Sequence, residues 1–415
     1  MKSNESHVKV YILTHGVIFT DTAVEYGISV NAKRQNLVYN TTVEFKKGRR
    51  TKTNYNRPQE LLLEGFDGYT VCASAVSEVL GREPAIVDFV DEKLTIVTPA
   101  MPNLANGVAK ITYVEEPKYY SLFTSRNRSV KRIISACGYD EMNLWPWHDC
   151  AVDKKCSFCG INSTNKGLKN NDWLHALNLR NEDGQAFWNS AKEEVLEELT
   201  EAISLAIDDD CYKEEVHMIM ISGNLDNAQL DLQAEIYSDM AGVISENFPN
   251  RFKEGIVAVT APPNDLSYLE VMKSNGIEIG VFNLEAFTEE GFNTHCPGKA
   301  VIGRQHHLDA LVRGVEVFGW GKSWTNFVLG LENIDELLKG CHFLAQKGIN
   351  PSANVLHIDY GSSLKIEPPT YEDVIFFYTE LASMLKENNL SPYYCAKALR
   401  TSLSNEAFEN RFSYD

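Results

Sequence analysis

Three cysteines lie within ten residues of one another between Trp145 and Gly160, and their type and spacing are suited to metal chemistry. They are Cys150, Cys156 and Cys159, in the segment WPWHDCAVDKKCSFCG. Cysteine thiolates ligate iron–sulfur clusters, and three of them leave the fourth iron of a 4Fe–4S cluster open. An open iron is a site for a ligand that is both bound and reduced.

The residues alone leave other interpretations of this segment open. A structural zinc site needs four ligands, which His148, Cys150, Cys156 and Cys159 would supply together. A thioredoxin-like redox pair would use only the last two cysteines, and a chance cluster of core cysteines would bind nothing. We expect the other six cysteines to fill the core; they are Cys72, Cys137, Cys211, Cys296, Cys341 and Cys395.

The elements that must position these cysteines follow from the apolar pattern after residue 130. Short apolar runs alternate with amphipathic stretches of helical spacing, which indicates βαβ units and a parallel sheet. We predict strands near 132–145, 216–222, 255–263, 277–285, 325–332 and 353–360, and helices over 185–206, 228–247, 265–274, 300–318, 333–347 and 371–388. Active sites of such folds lie at the carboxyl ends of the strands.

The first part of the chain has a different pattern, with short β-branched and aromatic runs between polar turns. We interpret the first of these runs, HVKVYILTHGVIF at 7–19, as a strand. The sequence therefore predicts three parts: a β-rich accessory domain of unknown role over 1–130, an α/β core over 131–370, and a helical C-terminal extension over 371–415.

Composition excludes several classes of protein. The chain has 415 residues, with 39 Lys and Arg against 57 Asp and Glu, which gives a net charge of −18. A body this acidic repels phosphate backbones, so we expect no general nucleic-acid binding. No apolar run reaches the ~18 residues of a membrane span, and the first residues lack the apolar stretch of a signal peptide. We therefore expect a cytoplasmic protein that does not contact membranes.

The cysteine segment resembles the cluster motif of the radical S-adenosylmethionine (SAM) superfamily. Cys156-Ser157-Phe158-Cys159 is similar to the second half of that motif, while five residues instead of three separate Cys150 from Cys156, as in relatives of biotin synthase. The resemblance covers residues 135–365 and implies a partial (β/α)6 radical SAM barrel. It implies that the three cysteines ligate a 4Fe–4S cluster and that Phe158 contacts the adenine of SAM.

Later landmarks of the family follow in order along the chain. Ser222, Gly223 and Asn224 end a strand where the family holds the methionine amino group. Asn283 and Glu285 resemble the polar pair that holds the ribose. The resemblance therefore implies a SAM contact at each of these positions.

Two further parts of SAM have candidate partners by resemblance. Gly330 lies in the region that contacts the adenine. Arg304 or His307 lies where the family places the base that binds the carboxylate, and Lys299 in the same stretch is a third candidate. The polar residues predicted at the barrel mouth are candidate substrate contacts, and they are Thr260, Asn326, His357, Asp359 and Tyr360.

The resemblance implies an enzyme that cleaves SAM reductively and uses the 5′-deoxyadenosyl radical to abstract hydrogen from a substrate or to add to it. The substrate would be a small molecule or a peptide, and the electron donor a flavodoxin or ferredoxin. Two alternatives belong to other classes. One is a zinc-stabilised α/β binding protein that uses the four ligands named above, and the other is a cluster that only transfers electrons.

Overall fold

A computed structural model describes residues 3–34, 43–46, 49–52, 57–161, 179, 183–213, 215–358, 362–392 and 399–412. Three positions named above, Cys395, Asp359 and Tyr360, lie outside the described residues. The helices are α1 (Glu5–His15), α2 (Asp21–Ser29), α3 (Val130–Ile133), α4 (Gly184–Ala206), α5 (Leu230–Asn247), α6 (Tyr268–Ser274), α7 (Glu289–His295), α8 (Pro297–Ala300), α9 (Arg304–Phe318), α10 (Ile334–Ala345), α11 (Tyr371–Glu387) and α12 (Ser404–Phe408). The strands are β1 (Val17–Phe19), β2 (Val43–Lys46), β3 (Arg49–Lys52), β4 (Glu60–Glu64), β5 (Thr70–Ser74), β6 (Ala85–Val90), β7 (Lys93–Val97), β8 (Lys110–Tyr113), β9 (Ile134–Cys137), β10 (Glu141–Leu144), β11 (His217–Ile221), β12 (Ile256–Val259), β13 (Ile277–Val281), β14 (Ser323–Leu329) and β15 (Ile349–Val355).

A sheet of seven strands in the order β15-β14-β13-β12-β11-β10-β9 forms the centre of the molecule. The strands from β10 to β15 are parallel and neighbour one another in chain order, while β9 pairs antiparallel with β10. At least one helix follows each parallel strand, from α4 after β10 to α11 after β15. This curled sheet with its layer of helices is the predicted partial (β/α)6 barrel, and the fold class is confirmed.

The crossover helices begin where capping side chains are available. Asn333 caps α10, because its Oδ1 accepts from the backbone N–H of Asp335 at 2.9 Å. Thr370 and Asp373 form a reciprocal capping box at the start of α11. Such caps satisfy backbone donors that have no partner within the helix.

Three details of the predicted elements are corrected by the structure. The single strand predicted at 132–145 is the antiparallel hairpin of β9 and β10. The last strand ends at Val355 instead of residue 360. The run at 7–19 is not one strand, because α1 occupies Glu5–His15 and only β1 follows it. A short apolar run does not distinguish a buried helix from a buried strand, and α1 is buried from Glu5 to Thr14.

The rest of the first part of the chain is β-rich, as predicted, with small sheets in the orders β1-β6-β7, β2-β3 and β5-β4-β8. One hydrophobic core extends from Val8 to Phe412 and includes residues of all three predicted parts. The boundaries at 130/131 and 370/371 stay a prediction. Across the described ranges, no helix has the length and apolar character needed to cross a membrane.

Candidate active site

A cavity at the carboxyl ends of the parallel strands is lined by Cys150, Cys156 and Cys159. The segment that carries them follows β10, so the strand delivers it to this end of the sheet. The three side chains are partly buried, and none of them forms a disulfide bond among the described residues. The sequence motif is therefore brought to the edge of the fold at which α/β proteins bind ligands.

Backbone hydrogen bonds attach the cysteine segment to its neighbours. The N–H of Ala151 donates to the carbonyl of Asn224 at 2.8 Å, next to β11. The N–H of Ser157 donates to the carbonyl of His295 at 2.9 Å, at the end of α7. The N–H of Ser363 donates to the carbonyl of Ser157 at 2.8 Å. The segment is thus fixed at three places around the cysteines.

Two glycines allow this close approach. A Cβ atom on Gly223 would lie 2.2 Å from the carbonyl oxygen of Asp149 and 2.6 Å from Cβ of Cys150. A Cβ atom on Gly298 would lie 2.3 Å from the carbonyl oxygen of Lys154. All three distances are shorter than the contacts that real Cβ atoms make, so these two positions admit only glycine unless the cysteine segment moves.

The arrangement of donors fits a cluster better than a single ion. A tetrahedral zinc site with Zn–S bonds of about 2.3 Å brings its sulfurs to about 3.8 Å from one another. Within the described part of the chain, the group of three donor atoms that lie within 4.8 Å of one another is Asp140, Glu215 and His217, and it contains no cysteine. The three thiols line the cavity but are not such a group, and a spacing wider than one ion requires is compatible with the donor set of a multi-iron cluster.

His148 does not join the cysteines. Its Nε2 lies 2.6 Å from the carbonyl oxygen of Arg132, its ring packs against Trp145, and it does not line the cavity. The zinc interpretation needs His148 as its fourth ligand. The structure therefore does not favour that alternative.

The surroundings shift the thiol pKa values in different directions. Burial raises the pKa of Cys150. The buried Cys296 forms a side-chain hydrogen bond with Cys156, which lowers the pKa of Cys156 and raises that of Cys296. Burial raises the pKa of Cys137, at the far end of the same cavity, to about 12. Cys156 is the thiol whose environment favours the thiolate that a metal binds.

A largely buried ion pair lies beside Cys156. The ammonium of Lys299, on α8, is 2.6 Å from Oε1 of Glu285 and 3.0 Å from the carbonyl oxygen of Asn283. Each charged side chain is 12% exposed, and all three residues line the cavity. Burial disfavours the ammonium, but the carboxylate of Glu285 and the neighbouring thiols outweigh it and raise the pKa of Lys299.

The backbone of Glu285 is held in an unusual conformation. Its φ is 66°, in the left-handed region that costs a non-glycine residue roughly 1–2 kcal/mol. Its N–H donates to the carbonyl of Asn326 at 3.0 Å, and its carbonyl accepts from the N–H of Val328 at 2.9 Å. Pairing with β14 thus fixes the strained residue, and strain of this kind is concentrated at functional sites.

Most of the residues predicted to bind SAM line this one cavity. They are Phe158, Ser222, Gly223, Asn224, Asn283 and Glu285. Phe158 packs against Leu331, Leu356 and Leu364, so one wall of the cavity is apolar. The candidate substrate contacts Thr260, Asn326 and His357 line the cavity as well.

Three predicted contacts are not brought into the cavity. Arg304 begins α9, where its Nε donates to the carbonyl of Phe287 at 2.6 Å and its guanidinium lies over the Phe287 ring. His307 is fully buried, and its Nδ1 lies 3.0 Å from the carbonyl of Gly303. Gly330 packs against Pro369 and Leu356. The short helix α8 lies beside the cavity instead, so Lys299 is the one of the three carboxylate-binding candidates that lines it.

The sequence reasoning missed the polar residues at the far end of the cavity. Two come from β10, two from β15 and two from the C-terminal segment, and they are Glu141, Asn143, Ser352, Asn354, Arg400 and Thr401. The sequence signal that could have revealed them is a polar residue at every second position of β10 and β15, which are buried on both faces. Such strands are usually apolar throughout.

The chain is similar to a curated protein and to several solved structures. The chain is 29% identical over 187 residues to the bacteriochlorophyllide c C-7(1)-hydroxylase of Chlorobaculum limnaeum, a match that covers 44% of this chain and 45% of that protein. Among solved structures, the FeFe-hydrogenase maturase HydG from Carboxydothermus hydrogenoformans is 14% identical, with 66% of this chain and 60% of that chain covered and a TM-score of 0.37. Methylornithine synthase (PylB) is 10% identical, with 68% of this chain and 79% of that chain covered and a TM-score of 0.40. No family model matches the sequence.

The hydroxylase is a radical SAM enzyme, so the predicted resemblance to this superfamily is confirmed. The same match supports the predictions that the chain is an enzyme and that it uses a 4Fe–4S cluster and SAM. This chain matches less than half of the length of that curated relative. The reaction on a substrate is therefore a matter for proposal.

Proposed function

We propose that Cys150, Cys156 and Cys159 hold a 4Fe–4S cluster and that SAM binds against it in the cavity, where its cleavage starts a radical reaction on a substrate. When bound, the reduced cluster supplies one electron that breaks the C5′–S bond of SAM and yields methionine and a 5′-deoxyadenosyl radical. The observation that carries the proposal is the placement of three cysteines and a buried Lys–Glu pair on the walls of one cavity.

The ion pair suits the two polar ends of SAM. The Lys299 ammonium would bind the methionine carboxylate, since it is the cation beside Cys156 and Glu285 holds it in place. A carboxylate has two oxygens with about four lone-pair sites. Oε1 of Glu285 accepts from Lys299, and Oε2, which has no hydrogen bond within the described ranges, would accept from a ribose hydroxyl. Asn283 would be the second ribose partner.

The remaining parts of SAM would meet matching walls. Ser222, Gly223 and Asn224 follow β11 and line the cavity with Cys150, and the amino group would bind at this turn. Phe158 and Leu356 form the apolar wall on which the adenine would pack. The contacts implied for Arg304, His307 and Gly330 have no support in this geometry, and we replace the first two by Lys299.

We further propose that the radical abstracts hydrogen from a carbon of a small molecule. The curated relative is named a hydroxylase, and hydroxylation at a carbon requires that a C–H bond be broken. The net negative charge of the chain also favours a small substrate over an extended anionic polymer. A flavodoxin or ferredoxin would supply the electron.

The test is anaerobic reconstitution with iron and sulfide, followed by reduction in the presence of SAM. We expect a brown protein that converts SAM to 5′-deoxyadenosine and methionine. A colourless protein that holds zinc would support the alternative binding module, and a cluster that binds no SAM in a titration would support simple electron transfer. Methylthioadenosine as the main nucleoside would show that another C–S bond breaks and would overturn the assigned pose.

A further inference from the structure

The cavity continues beyond the cysteines along the curled sheet, where polar side chains line it beside the apolar Ile219, Val259 and Leu399. Glu141 and Asn143 come from β10, and Ser352 and Asn354 come from β15. The interior of a closed barrel is normally filled by branched apolar side chains. Polar side chains at these inward positions are costly to bury unless they form hydrogen bonds.

Asn143 shows that this end of the cavity is built for a ligand. Its side chain is 4% exposed, yet it lines the cavity and forms no hydrogen bond with any residue that the structure describes. Asn326 also lines the cavity, and its hydrogen-bond partners among the described residues bind its backbone, whose N–H donates to Asn283 and whose carbonyl accepts from Glu285. Buried polar groups in folded proteins are almost always paired. Two amides that face one cavity therefore indicate a ligand with hydrogen-bonding groups.

Arg400 adds a fixed positive charge at the same end. Its side chain is 10% exposed, and its Nη1 donates to Oε1 of Glu60 at 3.0 Å. The other oxygen of Glu60 lies 2.5 Å from the ammonium of Lys33, which also donates to the carbonyl of Gly138 at 2.8 Å. Glu60 and Lys33, both in the accessory region, thus fix the position of the guanidinium. A guanidinium has five N–H donors in a planar fork that matches a carboxylate.

The local charge balance restricts the ligand. Lys33 and Arg400 both pair with Glu60, and Glu141 adds a second carboxylate to the lining of the cavity on the side of β10. The site is therefore not a general trap for anions, and a ligand must offer a carboxylate to Arg400 together with hydrogen-bond donors and acceptors for its neighbours.

We propose that the polar end of the cavity is the substrate subsite, and that it binds a small carboxylic acid through Arg400 and Asn143. The subsite rests on the proposed function, because SAM would fill the end of the cavity next to the cysteines and leave this end to the substrate. The C-terminal segment and the accessory region then act in substrate recognition, since one supplies Arg400 and the other fixes it.

The probe for this subsite is propionate, compared with its uncharged isostere propionamide. Both are added to the reconstituted protein in the presence of saturating SAM and without reductant, and binding is followed by saturation-transfer difference NMR. Charge-assisted hydrogen bonds to a guanidinium are strong, so we expect propionate to bind about tenfold more tightly than propionamide.

Variants assign the preference to residues. Arg400→Gln should abolish the preference for propionate, and the matched control Arg313→Gln, at an exposed arginine of α9, should keep it. Asn143→Asp keeps the shape of the side chain and adds a negative charge. It should weaken the binding of propionate while sparing propionamide, and it provides a second test if Arg400→Gln does not fold.

Equal binding of the two probes to the wild-type protein would overturn the proposal, as would a propionate preference that survives both Arg400→Gln and Asn143→Asp. Loss of the preference in Lys299→Met but not in Arg400→Gln would show that propionate occupies the SAM end, which also overturns it. The formation of 5′-deoxyadenosine tests the proposed function separately. A protein that cleaves SAM but shows no propionate preference would refute the subsite alone.

Discussion

Lys299 and Glu285 form a charged pair in which each side chain is 12% exposed, so neither partner is easily removed alone. Breaking a buried pair leaves the other charge uncompensated, which costs roughly 3–5 kcal/mol. Variants at this pair therefore need a measurement of folding beside the measurement of binding. A double variant that removes both charges separates the two effects.

Lys299→Met should weaken SAM binding about 10- to 100-fold, because a charge-assisted hydrogen bond to the carboxylate is lost. Iron content should not change, since Lys299 is not a proposed ligand. The double variant Lys299→Met/Glu285→Gln should recover folding stability but not binding. Titration of the reconstituted protein with SAM measures the affinity, and Lys322→Met, a partly exposed lysine paired with Glu278, is the control. An unchanged affinity in Lys299→Met would remove this residue from the site.

Cys150→Ala, Cys156→Ala and Cys159→Ala should each lose most of the bound iron, because a cluster held by three thiolates does not survive the loss of one. The matched control is Cys137→Ala, which removes a thiol from the far end of the same cavity and should keep a full complement of iron. Iron and sulfide analysis after anaerobic reconstitution gives the result. A complete, SAM-cleaving cluster in Cys156→Ala would refute the ligand assignment.

Individual site residues can be predicted from the sequence where a local pattern marks them. The spacing of the three cysteines and the strand-end position of Glu285 are visible in the chain itself. The sequence alone does not separate Lys299 from Arg304 and His307 as the residue that binds the carboxylate of SAM. The short helix α8 decides which of them reaches the cavity, and this helix has no apolar pattern of its own.

Among the elements, the turn that follows β11 is the one packed most closely against the cysteine segment. Gly223 lies there with its backbone against Asp149 and Cys150. Its φ is not in the left-handed region, so alanine is compatible with the backbone conformation and only the contact forbids it. This position therefore tests the packing of two elements rather than the flexibility of one.

Gly223→Ala should displace the cysteine segment and lower the iron content, although no ligand is changed. The added Cβ would lie 2.2 Å from the carbonyl oxygen of Asp149, so one of the two backbones must move. Gly242→Ala is the matched control on helix α5, where the nearest atom is a flexible side-chain oxygen of Asn275 at 3.0 Å. It should keep its iron and gain slightly in stability, since alanine favours a helix. Equal iron content in Gly223→Ala and the wild type would contradict the packing argument.

The parallel strands were predictable as elements because each is a short apolar run between amphipathic helices, and that rhythm allows few arrangements. The hairpin of β9 and β10 was not, since its turn at Gly138 to Asp140 lies inside what reads as one β-rich stretch. The polar end of the cavity was missed for a related reason. Alternating polar residues such as Ser352 and Asn354 normally indicate a strand with one face in water, whereas here that face lines the cavity.

In the whole molecule, the two ends of the described chain meet behind the cavity. Lys9 of α1 lies 2.5 Å from Oε1 of Glu406 and donates to the carbonyl of Leu399, which lines the cavity. Glu5 of the same helix pairs with Arg411 at 2.8 Å. A pattern confined to residues 7–19 could not reveal that α1 is a helix, because the partners of its charged side chains come from the last 14 residues described.

Lys9→Met should destabilise the folded protein by roughly 3–5 kcal/mol, because it leaves the carboxylate of Glu406 buried without its cation. The two side chains are only 1% and 4% exposed, so water does not replace the lost partner. The double variant Lys9→Met/Glu406→Leu should recover most of the loss, since replacing both members of a buried pair by apolar residues is often neutral. The free energy of unfolding in urea measures both effects, and Lys339→Met, at an exposed pair with Glu336, should not change it. If Lys9→Met lowers the free energy of unfolding no more than Lys339→Met does, the contact between the two ends of the chain does not stabilise the fold. Other contacts must then hold the segment that carries Arg400 in place.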